Sequence, residues 1–190
     1  MQTFKDTVTG EVWQFEDDVK ATNSNGTYSF ETASGDALSN VPATLQPYTI
    51  PTPTAAEKLA EEQNAKIQAL SNAAGAEVVA GFISNALGST YTYPSQQSDQ
   101  INLSGAVTAS QSPNVSSTWG VKFWCADSSG NWALRDHSAS QIQQVLTDGV
   151  TTRVGISEKL ATLSAQIQGI TIASGSDGSA EIAQVQAITW

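Results

Sequence analysis

The chain of 190 residues is poor in the side chains that most metalloproteins and many enzymes use, because it contains one cysteine and one histidine. A single cysteine excludes a disulfide within the chain, and a transition-metal site needs three or four ligands drawn mainly from histidine, cysteine and carboxylates. The phosphate-binding motifs GxGxxG and GxxxxGKS/T are absent, as is the D-x-D-x-D-G spacing of a calcium loop. We therefore expect no metal and no cofactor.

Basic residues and long apolar runs are also scarce. Eight basic residues stand against eighteen acidic ones, the net charge is −10, and no basic cluster of the kind that binds nucleic acid phosphates occurs. No apolar run approaches the roughly 18 residues of a membrane span, and the start MQTFKDTVTG lacks the pattern of a signal peptide. We expect no nucleic acid binding and no membrane insertion. We also expect that the chain is synthesised in a cytoplasm.

Charged residues make up only 14% of the chain, against about 25% in an average soluble domain. This uncharged polar composition is common in proteins of large extracellular or virion assemblies. The length predicts one domain, or a main domain with an appendage.

The pattern of turns and periodicities predicts an α+β fold that begins with a small β module over residues 1–40. Thr9-Gly10 and Asn25-Gly26 are turn signals between short extended runs. Few apolar residues are available there, so the module should pack on another surface. Five aromatic residues are predicted to dock a partner: Trp13, Phe15, Tyr28, Phe30 and Tyr48.

Residues 41–54 carry four of the six prolines. Proline fixes φ and disfavours helix in the residue before it, so this segment is predicted to be an extended connector. An ordinary loop is the alternative.

Residues 55–190 are predicted to be a helical body of two to three helices with an inserted aromatic hairpin. Thr54 and Glu57 form the capping-box pattern that starts a helix over 55–86. Further helices are expected over 99–110 and 139–169. Gly149 and Gly155 are the points where the last helix is expected to be interrupted. Two heptads spaced 4, 3, 4, 3 lie in the last of these helices: Ile156, Leu160, Leu163, Ile167 and Ile170. They are expected to pack on the first helix, and the alternative is a seam between copies of the chain.

The aromatic hairpin is the most informative stretch. Val121, Phe123 and Cys125 alternate with polar and aromatic positions, which is the pattern of a strand. Residues 127–130 form a turn, and residues 131–134 form the return strand of the hairpin. Ser138 and Gln141 then make a second capping box. Eight residues are predicted to build this core and its junction with the following helix: Trp119, Phe123, Trp124, Cys125, Trp132, His137, Ser138 and Gln141.

A cysteine nucleophile would need Cys125 and His137 together with an aspartate such as Asp127 or Asp136. Cys125 shares its predicted strand face with Val121 and Phe123, and free cysteine is among the most buried residue types. The sequence therefore predicts no enzyme and no catalytic residue.

Three stretches together resemble a domain found in tail genes of tailed bacteriophages and prophages: YPSQQSDQINLSGAVTAS, WGVKFWCADSSGNWALRDHSASQIQQVLTDG and EKLATLSAQIQ. The matching residues are Asp99, Gln100, Asn102, Leu103, Gly105, Ala106, Trp132, His137, Ser138, Ala139, Gln141, Lys159, Leu160 and Ile167. The resemblance covers roughly the last two-thirds of the chain. The start, TGEVWQFEDD and the proline-rich connector, is similar to the front ends of short tail-fibre-associated phage proteins.

The resemblance implies a virion protein of the phage tail that links a tail fibre or adaptor to the baseplate or tail tip. Its expected partners are fibre, baseplate or tail-tip subunits and further copies of itself, and its part in host attachment would be indirect. The alternative is a tail-fibre assembly chaperone that is absent from the mature particle. The family implies no reaction, so no catalytic residue is carried over from it.

Overall fold

The structure, a computed structural model, describes all 190 residues and has the α+β architecture that the sequence predicts. The chain divides into two compact units, Met1–Pro53 and Thr54–Trp190. Unit 1 contains five strands: β1 (Gln2–Asp6), β2 (Val12–Phe15), β3 (Lys20–Ser24), β4 (Thr27–Glu31) and β5 (Leu45–Pro47). Strands β2, β1 and β5 form an antiparallel sheet in that order, and β3 pairs with β4 as a separate hairpin.

Aromatic rings hold unit 1 together. Phe4 meets Phe30 edge-on at 4.9 Å between ring centroids, and Phe15 stacks on Phe30 at 4.3 Å. Leu45 is fully buried beside them. The predicted hairpin turn is confirmed, because Asn25 and Gly26 both take positive φ between β3 and β4.

This arrangement corrects two predictions for the first 54 residues. Phe15 and Phe30, which were predicted to dock a partner, are buried core residues and cannot contact one. The other three predicted docking residues, Trp13, Tyr28 and Tyr48, are only partly buried. The segment 41–54 is also not a spacer along its whole length, since β5 pairs with β1 and buries Leu45. A small sheet gains its third strand and the fourth member of its core in this way.

Unit 2 combines four helices with one four-stranded sheet. Its elements are α1 (Ala55–Ala80), β6 (Phe82–Ser84), β7 (Tyr91–Tyr93), α2 (Gln97–Ser110), β8 (Gly120–Ala126), β9 (Trp132–Ser138), α3 (Ala139–Gln168) and α4 (Ser179–Ala187). The antiparallel sheet has the order β6-β7-β8-β9. The hairpin predicted from the sequence is thus half of a larger sheet. The sequence predicted two to three helices for this part of the chain, and the structure has four.

One core lies between this sheet and the helices α2 and α3. Phe123 and Cys125 point into it from β8, and Ile142 and Val145 meet them from α3. The ring of Phe82 rests on Gly149, where a Cβ would lie 2.9 Å from the ring's Cζ atom. Gly149 is therefore a contact point with the sheet, and α3 runs through it without the expected interruption.

A second core joins α1, α3 and α4. Ile167 and Val185 are fully buried there against Leu59 and Leu70. Four of the five predicted heptad positions contribute to this core, so the expectation of packing within the chain is confirmed for them: Leu160, Leu163, Ile167 and Ile170. The chain end folds back as α4, and Trp190 bonds to Glu77 and lies under Lys159.

Helix boundaries follow their caps. Thr54 with Glu57 and Ser138 with Gln141 form both predicted capping boxes. Helix α1 stops at Ala80, before the predicted end at residue 86, because Gly81 takes a φ of 112° and Phe82 pairs with Tyr93 in the sheet.

Candidate functional site

The four-stranded sheet of unit 2 has two contrasting faces, and together they carry the candidate functional residues. The inner face, which packs on α2 and α3, carries Phe82, Ser84, Tyr91, Tyr93, Val121, Phe123, Cys125, Ala133, Arg135 and His137. The outer face carries Ile83, Thr92, Lys122, Trp124, Ala126, Trp132, Leu134 and Asp136. Alternation along each strand fixes both sets, since successive side chains point to opposite sides.

A hydrogen-bonded pair lies buried on the inner face. The Tyr93 hydroxyl is 2.8 Å from Nε2 of His137, and Nδ1 of His137 is 2.8 Å from the backbone oxygen of Arg135. A carbonyl oxygen can only accept, so Nδ1 carries the proton and Nε2 accepts from the hydroxyl of Tyr93. Both ring nitrogens are therefore satisfied in the neutral imidazole. Burial lowers the pKa of His137 and raises the pKa of Tyr93.

Cys125 lies beside this pair but is not activated by it. The thiol is fully buried, and burial raises its pKa. The reactive form of cysteine is the thiolate, and His137 has no free nitrogen with which to act as its base. The arrangement suits a packed core residue better than a nucleophile.

Arg135 lies on the inner face at the edge of the sheet, on strand β9. Its guanidinium lies 4.9 Å from the centre of the Tyr91 ring, and Nη2 is 3.3 Å from Oδ2 of Asp127. Asp127 also accepts hydrogen bonds from the backbone N–H groups of Asn131 and Ser129, and these bonds with the arginine hold the pKa of its carboxyl below the usual range. The predicted turn at residues 127–130 is thus tied to the core by an ion pair.

The outer face is apolar and open. Trp124, Trp132 and Leu134 are 51%, 50% and 49% exposed, and Ile83 is 60% exposed. Lys122 and Asp136 stand opposite each other at one end of this patch, and neither takes part in an ion pair within the chain. Monomeric soluble proteins seldom expose contiguous apolar patches beyond a few hundred Å², and such patches commonly mark interaction sites.

Two depressions adjoin the sheet. A groove of about 240 Å³ runs beside Lys122 and Trp124 and is walled by Asp99, Asn102 and Ala106 of α2. A wider depression of about 640 Å³ lies between β6 and α3, and its lining is mostly amide and hydroxyl side chains, with Asp148 as the one charged residue.

No group of three or more histidine, cysteine, aspartate or glutamate side chains is placed to hold a metal ion. None of the helices has both the length and the apolar character that crossing a membrane requires.

The structure separates the eight predicted hairpin residues into three kinds. Phe123, Cys125 and His137 are buried core residues, and Trp119 packs partly buried against them. Ser138 and Gln141 form the helix cap. The prediction that Trp124 and Trp132 belong to the core is wrong, because both lie on the outer face.

Several important residues were missed by the sequence reasoning. Tyr93 and Arg135 belong to the inner face, and Ile83 and Leu134 to the outer face. The spacing of Trp132 and Leu134, two residues apart in a strand, was a usable signal that both lie on the side opposite to His137.

No protein-family model, no curated protein and no solved structure matches this chain.

Proposed function

We propose that this chain is a structural protein of a bacteriophage tail that links a tail fibre or adaptor to the baseplate or tail tip. The observation that carries the proposal is the place of the residues on which the sequence resemblance rests. Most of them hold helices and strands of unit 2 together, and three of them, Asp99, Asn102 and Ala106, also wall the groove beside Lys122.

The contacts of these residues are those of a rigid scaffold. Asp99 accepts a hydrogen bond from the backbone N–H of Gln96 and caps α2. Gln100 accepts from Nη1 of Arg153 at 2.6 Å and donates to the backbone oxygen of Ser95, which ties α2 to α3. His137 bonds to Tyr93 in the core. Residues that make such contacts keep the shape of unit 2 rigid, as a building block of an assembly requires.

The organisation of the chain also supports an assembly role. Units 1 and 2 each have their own apolar core, and each can offer its own surface to a different neighbour. The apolar outer face in unit 2 is the largest group of exposed aromatic side chains on the chain.

Mass spectrometry of purified tailed particles from cells that carry the gene tests this proposal. We expect the chain at a fixed ratio to the major tail protein, together with other fibre or baseplate subunits. If it is abundant in the lysate but missing from the particles, the structural role is wrong and the assembly-chaperone alternative takes its place.

A truncation separates docking from folding. Because the two units meet between Pro53 and Thr54, we expect residues 54–190 to fold alone. The circular dichroism spectrum of this fragment should show the helices of unit 2. We expect this fragment to be left out of tails that incorporate the full chain, because unit 1 would supply one of the two docking surfaces. Incorporation of the fragment at the normal ratio would assign all docking to unit 2.

A further inference from the structure

The outer face is complementary to itself across the pairing of β8 with β9. The small Ala126 stands opposite the large Trp132, Trp124 stands opposite Leu134, and the cation Lys122 stands opposite the anion Asp136. Each residue on one strand therefore has its match in size or charge on the neighbouring strand. A face with this property can pack against a rotated copy of itself.

We propose that a second copy of the chain covers the outer face, as a two-fold dimer whose axis lies midway between the two facing sheets, parallel to the strands and above the line between β8 and β9. Rotation about this axis exchanges the positions of the two strands. It places Trp132 of one copy over Ala126 of the other and Trp124 over Leu134. Lys122 of each copy then meets Asp136 of the other, so the contact has two equivalent ion pairs. Sheets that pack face to face lie about 10 Å apart, a spacing that large side chains opposite small or medium ones can fill.

Charge selects this occupant over other partners. Both Lys122 and Asp136 are exposed and unpaired within the chain. A purely apolar segment would offer neither charge a partner from the other chain, and a strongly acidic or basic protein would match one and repel the other. A second copy rotated in this way satisfies both at once.

The small size of the apolar patch favours a weak, reversible contact. An aromatic side chain has about 150–250 Å² to bury, so the exposed halves of Trp124, Trp132 and Leu134 offer on the order of 300 Å² per copy. With the rim residues, the dimer falls at the low end of specific interfaces, below about 1,200 Å² in total. We therefore expect a dissociation constant on the order of 10–100 µM. This inference does not depend on the proposed function, because it rests on the outer face alone.

Sedimentation equilibrium of the full chain tests the dimer, over concentrations from about 1 µM to about 1 mM. Leu134→Ala should weaken the association at least about tenfold, because it removes the residue that faces Trp124. Val154→Ala is the matched control, since Val154 on α3 is equally exposed at 49% but lies off the sheet. A wild-type chain that stays monomeric up to about 1 mM would overturn the proposal and leave the face to a different protein.

Charge reversal tests the two-fold geometry and needs no change in the core. Lys122→Asp alone and Asp136→Lys alone should each weaken self-association at least about tenfold, because every ion pair becomes a repulsion. An equimolar mixture of the two variants should form a heterodimer at least as tight as the wild-type dimer, since both cross-copy pairs are then attractive. The two chains remain net negative, at −10 − 2 = −12 and −10 + 2 = −8, so overall charge attraction cannot explain a recovery. Failure of the mixture to associate, with native circular dichroism in both variants, would overturn this register.

Discussion

The two faces of the sheet in unit 2 reverse the usual distribution of polar and apolar side chains. An antiparallel sheet with one buried face normally presents polar residues to water on the other. Here the inner face carries the buried His137 and Tyr93 and the partly buried, ion-paired Arg135, while the outer face exposes two tryptophans and a leucine. The hydrogen bonds of His137 to Tyr93 and to the backbone oxygen of Arg135 stabilise one arrangement of the core, whereas Nε of Arg135 is buried without a hydrogen-bond partner. The outer apolar groups stay about half exposed, which is the basis of the proposed self-association.

Neighbouring residues on β8 provide the strongest test of this contrast. Phe123 is 8% exposed on the inner face and Trp124 is 51% exposed on the outer face. We expect Phe123→Ala to lower the free energy of unfolding by about 3–5 kcal/mol, because it leaves a cavity in the core. Trp124→Ala should cost no more than about 2 kcal/mol, because half of that side chain is already in water. Urea unfolding of both variants at low protein concentration measures the difference.

The same pair should reverse its order in self-association. Trp124→Ala is expected to abolish the dimer, and Phe123→Ala to retain it under conditions where the variant is folded. If Trp124→Ala proves as destabilising as Phe123→Ala, the outer face is part of the folding core and the contrast between the faces fails.

A pair of glycines on α3 sharpens the definition of the inner packing. A methyl group at Gly149 would press on the Phe82 ring, which is itself stacked on Tyr93, whereas a methyl group at Gly155 meets nothing within 4 Å. Gly149→Ala should therefore lower stability by about 1–2 kcal/mol through overpacking, even after the gain in helix propensity. Gly155→Ala should raise stability by about 0.4–1 kcal/mol. Thermal unfolding followed by circular dichroism compares the two, and equal shifts would mean that the sheet does not rest on Gly149.

Local signals made much of the fold predictable from the sequence. The capping boxes at Thr54 and Ser138 placed both long helices correctly, because a cap depends on residues three positions apart. The turn at Asn25-Gly26 was equally local. Strand β6 was missed, because Phe82 continues the helical spacing of α1 and only its pairing with Tyr93 makes it a strand. Strand β5 and helix α4 were missed for the same reason, since both are defined by long-range contacts.

The candidate site was predictable in some of its residues but not in its two faces. The run Phe123-Trp124-Cys125 is apolar at three successive positions, so composition alone suggested that all three belong to one core. Alternation in a strand forces the middle residue to the opposite side, and whether that side is covered depends on the rest of the fold. Tyr93 could not be linked to His137 from the sequence, because the two are separated by 44 positions.

The buried pair on the inner face allows a smaller and more specific test. Tyr93→Phe keeps the ring but removes the hydroxyl that donates to Nε2 of His137, which is left buried without a partner. We expect a loss of about 1–2 kcal/mol in the free energy of unfolding. Tyr91→Phe is the control, because the phenyl ring can still lie under Arg135 and little change, within about 0.5 kcal/mol, is expected. Equal effects of the two substitutions would show that the bond to His137 adds nothing to stability.

The smallest expected effect is a pH dependence that His137 alone can produce near neutrality. Burial lowers the pKa of His137 in the folded chain below its ordinary value of 6.5. The unfolded chain therefore binds this proton first as the pH falls, so the stability that the neutral imidazole gives is complete above about pH 6.5 and is lost progressively below it, down to the lower folded-state pKa. One proton limits the slope to about 1.4 kcal/mol per pH unit, so the loss between pH 7 and pH 5.5 should not exceed about 1.3 kcal/mol.

Because the chain has one histidine, substitution of that residue isolates its contribution. His137→Gln should unfold more easily than the wild type at pH 7 but should show a much flatter dependence between pH 7 and pH 5.5, where urea unfolding midpoints are compared. The outer face carries no histidine, so self-association should not change over this pH interval. A dimer that dissociates over the same pH interval as the monomer loses stability would show that the two faces are energetically coupled, and the inner face would then control association as well as folding.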